Sequence, residues 1–357
     1  MTLRNLSLFW AAVGAIAPIA LPAEAVSLDF GETAVDEIYY LSKNLAGRSV
    51  GTDKEAETVD YLTGRLGELG YQPKLQSFSY DFRDESLTSY NIVAERTGRL
   101  NQQVIVGAHY DNAPSRPTLD RSNLQGTNDN ASGAGVLLEL AERLQPDPEL
   151  TYQFVLFGAE EIGLVGSDYY ADSLGRSGVK KTEFMVNLDS LIVGDRMYFN
   201  AGRGATENPG WFEYRDLALE IAAELDIEAY TNPGLNPNYP AGTGCCSDLE
   251  SFDQLMPVLA AEATNWSIGE LDGYTQTANP AVPGGATWHD PATDNLTFIN
   301  RVFPGLIEER ASNYVAVFDT LLSWVDDRYE SVPEPTGMAG MLLAAGLGGW
   351  VSKRRRA

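Results

Sequence analysis

The stretch VIVGAHYD, residues 104–111, decides the fold of this chain, because a continuous apolar run ends at a histidine, with an aspartate two residues later. Runs rich in Val, Ile and Phe, with little polar alternation, are typical of strands buried in a parallel sheet. Similar runs are NIVAE (91–95), QFVLFGA (153–159), FMVNL (184–188), MYFNA (197–201) and PVLAAEA (257–263). We therefore predict a central sheet built from these segments.

Segments with apolar residues at helical spacing lie before and between these runs. They are ETVDYLTGRLGEL (57–69), GAGVLLELAERL (133–144) and WFEYRDLALEIAAEL (211–225). Strands that alternate with helices indicate a sheet covered on both faces. We expect a single three-layer α/β/α domain over residues 26–330, with a mixed, mainly parallel central sheet, because no low-complexity linker interrupts this range.

Charged side chains follow the predicted strands at the points where these strands end. They are His109 and Asp111 after VIVGA, Glu160 and Glu161 after FVLFGA, Asp189 after FMVNL, and Asp129 in the loop GTNDNASG (126–133). In open α/β sheets, ligands bind outside the carboxyl ends of the strands. The sequence therefore predicts that these side chains form one site.

Histidine is scarce in this chain, which makes its placement informative. His109 and His289, the second within WHD (288–290), are the only two in 357 residues. Two imidazoles and several carboxylates are a ligand set for zinc or a similar divalent ion. The pattern predicts a metal centre that joins the middle of the chain to its C-terminal part.

The motifs HYD (109–111), GTNDNASG, GAEEIGLVGS (158–167), NLD (187–189) and the late HD (289–290) resemble the co-catalytic zinc aminopeptidases of the aminopeptidase S and aminopeptidase Y type. One branch, the alkaline phosphatase isozyme conversion aminopeptidases, resembles the chain further. Its likeness extends over TNPGLNPNYPAGTGCCSDLESFD (231–253), AEATNW (261–266), DGY (272–274) and WHD. The resemblance spans nearly all of residues 35–325.

The resemblance implies two zinc ions per chain, held by five side chains in all. His109 and Asp189 would hold the first zinc, and Glu161 and His289 the second, while Asp129 would bridge both. Two such ions polarise a scissile carbonyl and activate water near neutral pH. The activity implied is removal of the N-terminal residue from peptides or proteins.

The resemblance also implies roles for two carboxylates that hold no metal. Glu160 would be the general acid/base of the hydrolysis, and Asp111 would accept the second imidazole N–H of His109. Trp288 stands where many relatives have a tyrosine whose hydroxyl stabilises the tetrahedral intermediate, and its indole N–H remains a donor. Relatives also often read SDH where this chain has Leu249 after Ser-Asp.

Five residues are candidates for contact with the substrate: Trp288, Glu262, Asp248, Cys245 and Cys246. The branch is associated with removing an N-terminal arginine from a phosphatase, and a guanidinium requires a carboxylate partner. Glu262 and Asp248 are the candidates for that partner. Alternatively, Asp248 is a helix N-cap for LESFDQL and Glu262 pairs with a buried arginine.

The two cysteines, the only ones in the chain, form a vicinal disulfide or remain two thiols.

The chain is strongly acidic, with a net charge of −25 and a pI near 4.3. This charge argues against nucleic acid or anionic lipid as a partner and favours cationic ligands. The alternative is a contribution to solubility, for example in a salty medium.

Both ends of the chain resemble targeting segments. Residues 1–25 have a basic start at Arg4, the apolar stretch LFWAAVGAIAPIAL (8–21) and an A-x-A site at 23–25, as a signal peptide does. Residues 331–357 contain Pro-Glu-Pro at 333–335, a short apolar stretch and a basic end, and resemble the PEP-CTERM sorting tag that an exosortase-type enzyme cuts. The alternative for either segment is a membrane anchor. We expect an exported protein, periplasmic or at the cell surface, that is at least transiently anchored.

Processing at both ends gives a testable mass. The mature protein should begin near Val26 and end close to Pro335. Intact-mass measurement on protein from its native host checks this expectation. A mass that includes the basic residues 354–356 would refute the predicted sorting tag, but it would not contradict the predicted peptidase activity.

The sequence leaves three functions open, and the first of them is favoured because all five metal-ligand positions are present. The first is an exported two-zinc aminopeptidase, and the second is a glutaminyl cyclase, which resembles this site but uses a single zinc. The third is an inactive, surface-anchored binding protein on a peptidase scaffold. The number of metal ions per chain separates them, because they require two, one and none.

Overall fold

The computed structural model describes residues 30–268 and 279–330. The helices of this part are α1 (Glu32–Asn44), α2 (Asp53–Glu68), α3 (Ser132–Arg143), α4 (Val165–Lys181), α5 (Glu213–Glu224), α6 (Leu296–Val302) and α7 (Leu306–Glu330). The strands are β1 (Lys74–Phe82), β2 (Glu85–Arg96), β3 (Gln103–His109), β4 (Thr151–Phe157), β5 (Thr182–Leu188), β6 (Met197–Ala201), β7 (Ala229–Tyr230) and β8 (Val258–Glu262).

The strands form one eight-stranded sheet in the order β1-β2-β4-β3-β5-β8-β6-β7. Its centre is parallel, since β3 pairs in parallel with β4 and β5, and β5 with β8. The pairs β1–β2, β2–β4 and β6–β8 are antiparallel. The carboxyl ends of β3, β4 and β5 consequently meet at the same edge of the sheet.

Both faces of the sheet are covered, as the continuous apolar strands require. Along β3, Val104 and Val106 pack into the larger core with residues of α1, α3, α5 and α7, whereas Ile105 points to the opposite face. There Ile105 packs with Tyr170 of α4 and with Phe252. All seven residues of β3 are buried. The central strand is therefore fixed from both sides, and the residue at its end is held with it.

Local sequence signals explain where the helices begin. Thr52 caps α2, because its hydroxyl accepts the N–H of Glu55 at 3.1 Å, and Asn295 caps α6 by accepting the N–H of Phe298 at 2.8 Å. The first turn of α3 passes so close to the sheet that a Cβ on Gly133 would lie 2.3 Å from the carbonyl oxygen of Leu188. Glycine at 133 therefore permits the approach of α3 to the end of β5.

The predicted fold class is confirmed: a single α/β domain with a mixed central sheet and helices on both faces. The predicted helices match α2, α3 and α5 within a few residues, and each predicted strand falls on an observed one. The hairpin partner β1 and the long helix α7 were not predicted. The proposed signal peptide, the sorting tag and the motif DGY (272–274) lie outside the described residues. Among residues 30–268 and 279–330, no helix is long and apolar enough to span a bilayer.

Candidate metal centre

The five predicted metal ligands lie together at the carboxyl edge of the parallel strands. His109 is the last residue of β3, and Asp189 follows β5 directly. Glu161 belongs to a short 3-10 turn after β4, and Asp129 to the turn Thr127–Ala131 that leads into α3. His289 comes from the loop ahead of α6. Segments 180 positions apart in sequence thus meet at one point.

The donor atoms form two neighbouring groups that share the carboxylate of Asp129. In the first group, Nε2 of His109 lies 3.1 Å from Oδ1 of Asp129 and 3.4 Å from Oδ1 of Asp189. In the second, Nε2 of His289 lies 3.1 Å from Oδ2 of Asp129 and 2.8 Å from Oε2 of Glu161. The two oxygens of Asp129 therefore face different histidines, which is the arrangement of a carboxylate that bridges two cations.

The chemistry of the donors fits zinc. Within the described residues, Nε2 of His109, Oε1 of Glu161 and Oδ1 of Asp189 are buried without a hydrogen-bond partner. Nδ1 of His109 lies 3.2 Å from the backbone oxygen of Asp111, so the neutral imidazole that donates from Nδ1 leaves a lone pair on Nε2. Buried polar atoms without partners are costly, and a cation bound between these atoms would remove that cost.

The electrostatics of the site favour bound positive charge. Burial lowers the pKa of His289, but the carboxylates of Glu161 and Asp129 outweigh it and raise the pKa to about 11. The pKa of His109 is likewise raised well above its usual value, because Glu160 and Asp189 outweigh burial. Imidazoles whose protonated form is stabilised this strongly lie in a negative field, and a divalent cation would meet the same field.

Glu160 and Glu161 diverge at the turn after β4, where Ala159 has a positive φ of 60°. Glu161 faces His289, whereas Oε2 of Glu160 lies 4.0 Å from Nε2 of His109 at the side of the first group. Burial raises the pKa of Glu160 well above its usual value. The two adjacent carboxylates consequently reach different parts of the centre.

Asp111 connects the end of β3 to the Glu160–Ile162 turn. Its carboxylate accepts the backbone N–H of Glu160 at 3.0 Å and that of Glu161 at 3.3 Å. Its Oδ1 lies 3.7 Å from Nδ1 of His109, farther than its own backbone oxygen at 3.2 Å. The nearer acceptor for the imidazole is therefore the Asp111 carbonyl, and the carboxylate mainly positions the two glutamates.

A cavity of about 340 Å³ opens beside the two donor groups. Four of the five candidate substrate residues line it, namely Trp288, Glu262, Cys245 and Cys246. The two cysteines form a vicinal disulfide, in which Cys245 is buried and Cys246 is exposed. The cavity is thus bounded by the metal-ligand candidates on one side and by the disulfide and Glu262 on another.

Neutral side chains hold Glu262 in place, and no arginine pairs with it among the described residues. Its Oε1 accepts hydrogen bonds from Nδ2 of Asn200 at 2.7 Å and from Nε1 of Trp266 at 2.9 Å. Burial raises the pKa of Glu262 to about 7, although these hydrogen bonds oppose the shift. These contacts contradict the alternative in which Glu262 pairs with a buried arginine, and the residue lines the cavity.

Asp248 does not lie where either expectation placed it. It is fully buried, it does not line the cavity, and both its carboxyl oxygens lack a hydrogen-bond partner among the described residues. Residue 247, not 248, precedes the 3-10 turn Asp248–Ser251, and no side chain caps that turn. Burial raises the pKa of Asp248 to about 7. Asp248 therefore lies behind the cavity lining, which its neighbours Ser247 and Leu249 help to form.

Sequence patterns did not point to several residues that support the centre. The guanidinium of Arg48, fully buried, donates to the carbonyls of Tyr110 and Gly126 and so ties the His109 loop to the Asp129 loop. Asp294 accepts the backbone N–H of Asp129 at 3.3 Å. For Asp294, the sequence offers one signal of a role at the site, its position five residues after His289. For Arg48, the sequence offers no such signal.

Comparison with known protein families finds a match over more than half of this chain. The family model for Peptidase family M28 matches residues 91–315. The alkaline phosphatase isozyme conversion protein of Escherichia coli (strain K12) is 39% identical over 315 residues, which are 83% of this chain and 91% of that protein.

Solved structures share the fold at lower sequence identity. BSAP, a zinc aminopeptidase from Bacillus subtilis, superposes with a TM-score of 0.64 at 15% identity, over 83% of this chain and 95% of that chain. Porphyromonas gingivalis glutaminyl cyclase superposes with a TM-score of 0.62 at 21% identity, over 83% and 99% of the two chains. At these identities the likeness shows the fold alone, and it does not separate the two activities.

Proposed function

This chain belongs to peptidase family M28, and from that membership we propose that it is an aminopeptidase that works with two zinc ions. The observation that carries the proposal is the carboxylate of Asp129, whose two oxygens each lie 3.1 Å from a different histidine. His109 and Asp189 would hold one ion, and Glu161 and His289 the other. Bound zinc supplies a Lewis acid for the scissile carbonyl and lowers the pKa of water.

The remaining steps fall to the protein's own groups. We assign general acid/base catalysis to Glu160, whose carboxyl group lines the cavity beside the first donor group. It would take a proton from the attacking water and pass it to the leaving amine.

The zinc count distinguishes this proposal from its alternatives. A glutaminyl cyclase with a similar fold would require one zinc, and an inactive binding protein would require none. The pairing of both histidines with carboxylates supports two sites rather than one.

We further propose that the domain occupies residues 26–330 and is exported, and that the two end segments serve as targeting signals.

We propose that the substrate is a peptide or protein N-terminus, with a preference for arginine. The cavity is lined by carboxylates that attract the free α-ammonium group. Glu262 is the carboxylate we assign to the guanidinium, because it lines the cavity and its side-chain donors Asn200 and Trp266 carry no charge. A bound guanidinium would favour the ionised form of Glu262, whose pKa burial has raised to about 7.

Replacing Glu262 by glutamine tests this preference. Glu262→Gln should lower kcat/KM for arginyl substrates about ten- to hundredfold more than for leucyl substrates, since a charge-assisted hydrogen bond is lost. The measurement is hydrolysis of arginyl- and leucyl-nitroanilides. Asp248→Asn is the matched control, because Asp248 lies outside the cavity lining and should change both substrates alike. Equal losses in Glu262→Gln, or a native preference for leucine, would leave Glu262 as a scaffold residue.

A further inference from the structure

His289 is supported less directly than His109. His109 ends a strand that is hydrogen-bonded on both sides, whereas His289 lies in the loop ahead of α6 and belongs to no strand. Its φ is +60°, in the left-handed region that residues with a Cβ atom rarely occupy. Specific contacts must therefore hold this backbone if the imidazole is to face Asp129 and Glu161.

Arg121 provides the most direct of these contacts. Its Nε donates to the backbone oxygen of His289 at 2.6 Å, and its Nη1 donates to the backbone oxygen of Pro114 at 2.9 Å. Only 4% of Arg121 is exposed, and the residue does not line the substrate cavity. The planar guanidinium can direct two donors to two loops at once, which an ammonium group cannot do with the same geometry.

A second contact fixes the other end of the same loop. The carboxylate of Asp294 accepts the backbone N–H of Asn128 at 2.7 Å and that of Asp129 at 3.3 Å. The N–H of Asp294 in turn donates to the carbonyl of Asp290 at 2.8 Å. The His289 loop is therefore joined to the Asp129 turn at one end, and Arg121 holds it at the histidine itself.

We propose that Arg121 is a positioning residue that orients His289 and thereby sets the affinity of the second zinc site. This inference rests on the proposed two-zinc function. Charge alone predicts the opposite effect, because the guanidinium lies close enough to Glu161 and Asp129 to interact with both carboxylates. Removing a nearby positive charge should strengthen cation binding, whereas removing a positioning contact should weaken it. The sign of the change therefore identifies the role.

The experiment is zinc titration of the full chain, with a chromophoric chelator as competitor. The wild type should show two sites. Arg121→Met should leave one site unchanged and weaken the other about ten- to hundredfold, the usual effect of removing a contact that orients a metal ligand. His289→Ala identifies the affected site, because it should lose the same one. Arg116→Met is the matched control: Arg116 lies exposed in the same loop and should leave both sites unchanged.

Arg121→Lys extends the test, because it keeps the charge and loses the pair of directed donors. We expect it also to weaken the second site, and it serves as the test variant if Arg121→Met does not fold in the metal-free state. A second site that is unchanged or tighter in the folded variants, or equal weakening of both sites, would overturn the inference. Fewer than two sites in the wild type would instead refute the proposed function, and the inference with it.

Discussion

Removal of metal with a chelator should abolish peptide hydrolysis, and added zinc or cobalt should restore it. Asp129→Ala should be as damaging as removal of both ions, because the two oxygens of Asp129 face both histidines. We expect this variant to lose zinc together with activity. Aminoacyl-nitroanilide hydrolysis, measured alongside the zinc content of each preparation, checks both statements.

The matched control is Asp172→Ala, which removes an exposed carboxylate on α4, away from the cavity. It should keep its zinc and its rate. Full activity in chelated protein, with zinc shown to be absent, would rule out the metal-dependent mechanism. An Asp129→Ala protein that retains both ions would show that Asp129 does not bridge them.

Glu160→Gln should retain both zinc ions and lose about 10²-fold or more in kcat, the typical effect of losing general acid/base catalysis. Glutamine keeps the shape of the side chain but cannot accept the proton of the attacking water. Glu161→Gln is the matched comparison at the neighbouring position. Because Oε2 of Glu161 lies 2.8 Å from Nε2 of His289, Glu161→Gln should reduce zinc binding in addition to the rate.

Zinc content and single-turnover rates of the two variants decide between roles for Glu160. Near-native turnover in Glu160→Gln would refute its assignment as the base. Loss of zinc in Glu160→Gln would identify Glu160 as a metal ligand instead. That outcome has a structural basis, because Oε2 of Glu160 lies 4.0 Å from Nε2 of His109.

The sheet was predictable because its strands are buried on both faces. Such strands read as continuous apolar runs, and the run before His109 maps onto β3 almost residue for residue. Placing charged residues after these runs was then enough to predict one cluster at the carboxyl edge. By contrast, β1 is an edge strand with an alternating burial pattern, and its sequence KLQSFSYDF gives no continuous apolar run.

The contacts that support the site were not predictable from local pattern. Arg121 and His289 are 168 positions apart, and neither loop has a periodicity that predicts their pairing. The environment of Glu262 depends on Asn200 and Trp266, which lie on other segments. Asp248 was misplaced because the sequence fits a guanidinium partner and a helix N-cap equally well, and only the packed structure shows that it is buried and does not line the cavity.

The zinc content of the purified chain tests the central claim most directly. It should be measured by mass spectrometry of the element against protein concentration, after dialysis that removes loosely bound metal. The account predicts about two zinc ions per chain, and none of them retained in Asp129→Ala. A single zinc in the wild type would favour the cyclase alternative, and a value near zero after zinc loading would contradict a two-zinc aminopeptidase.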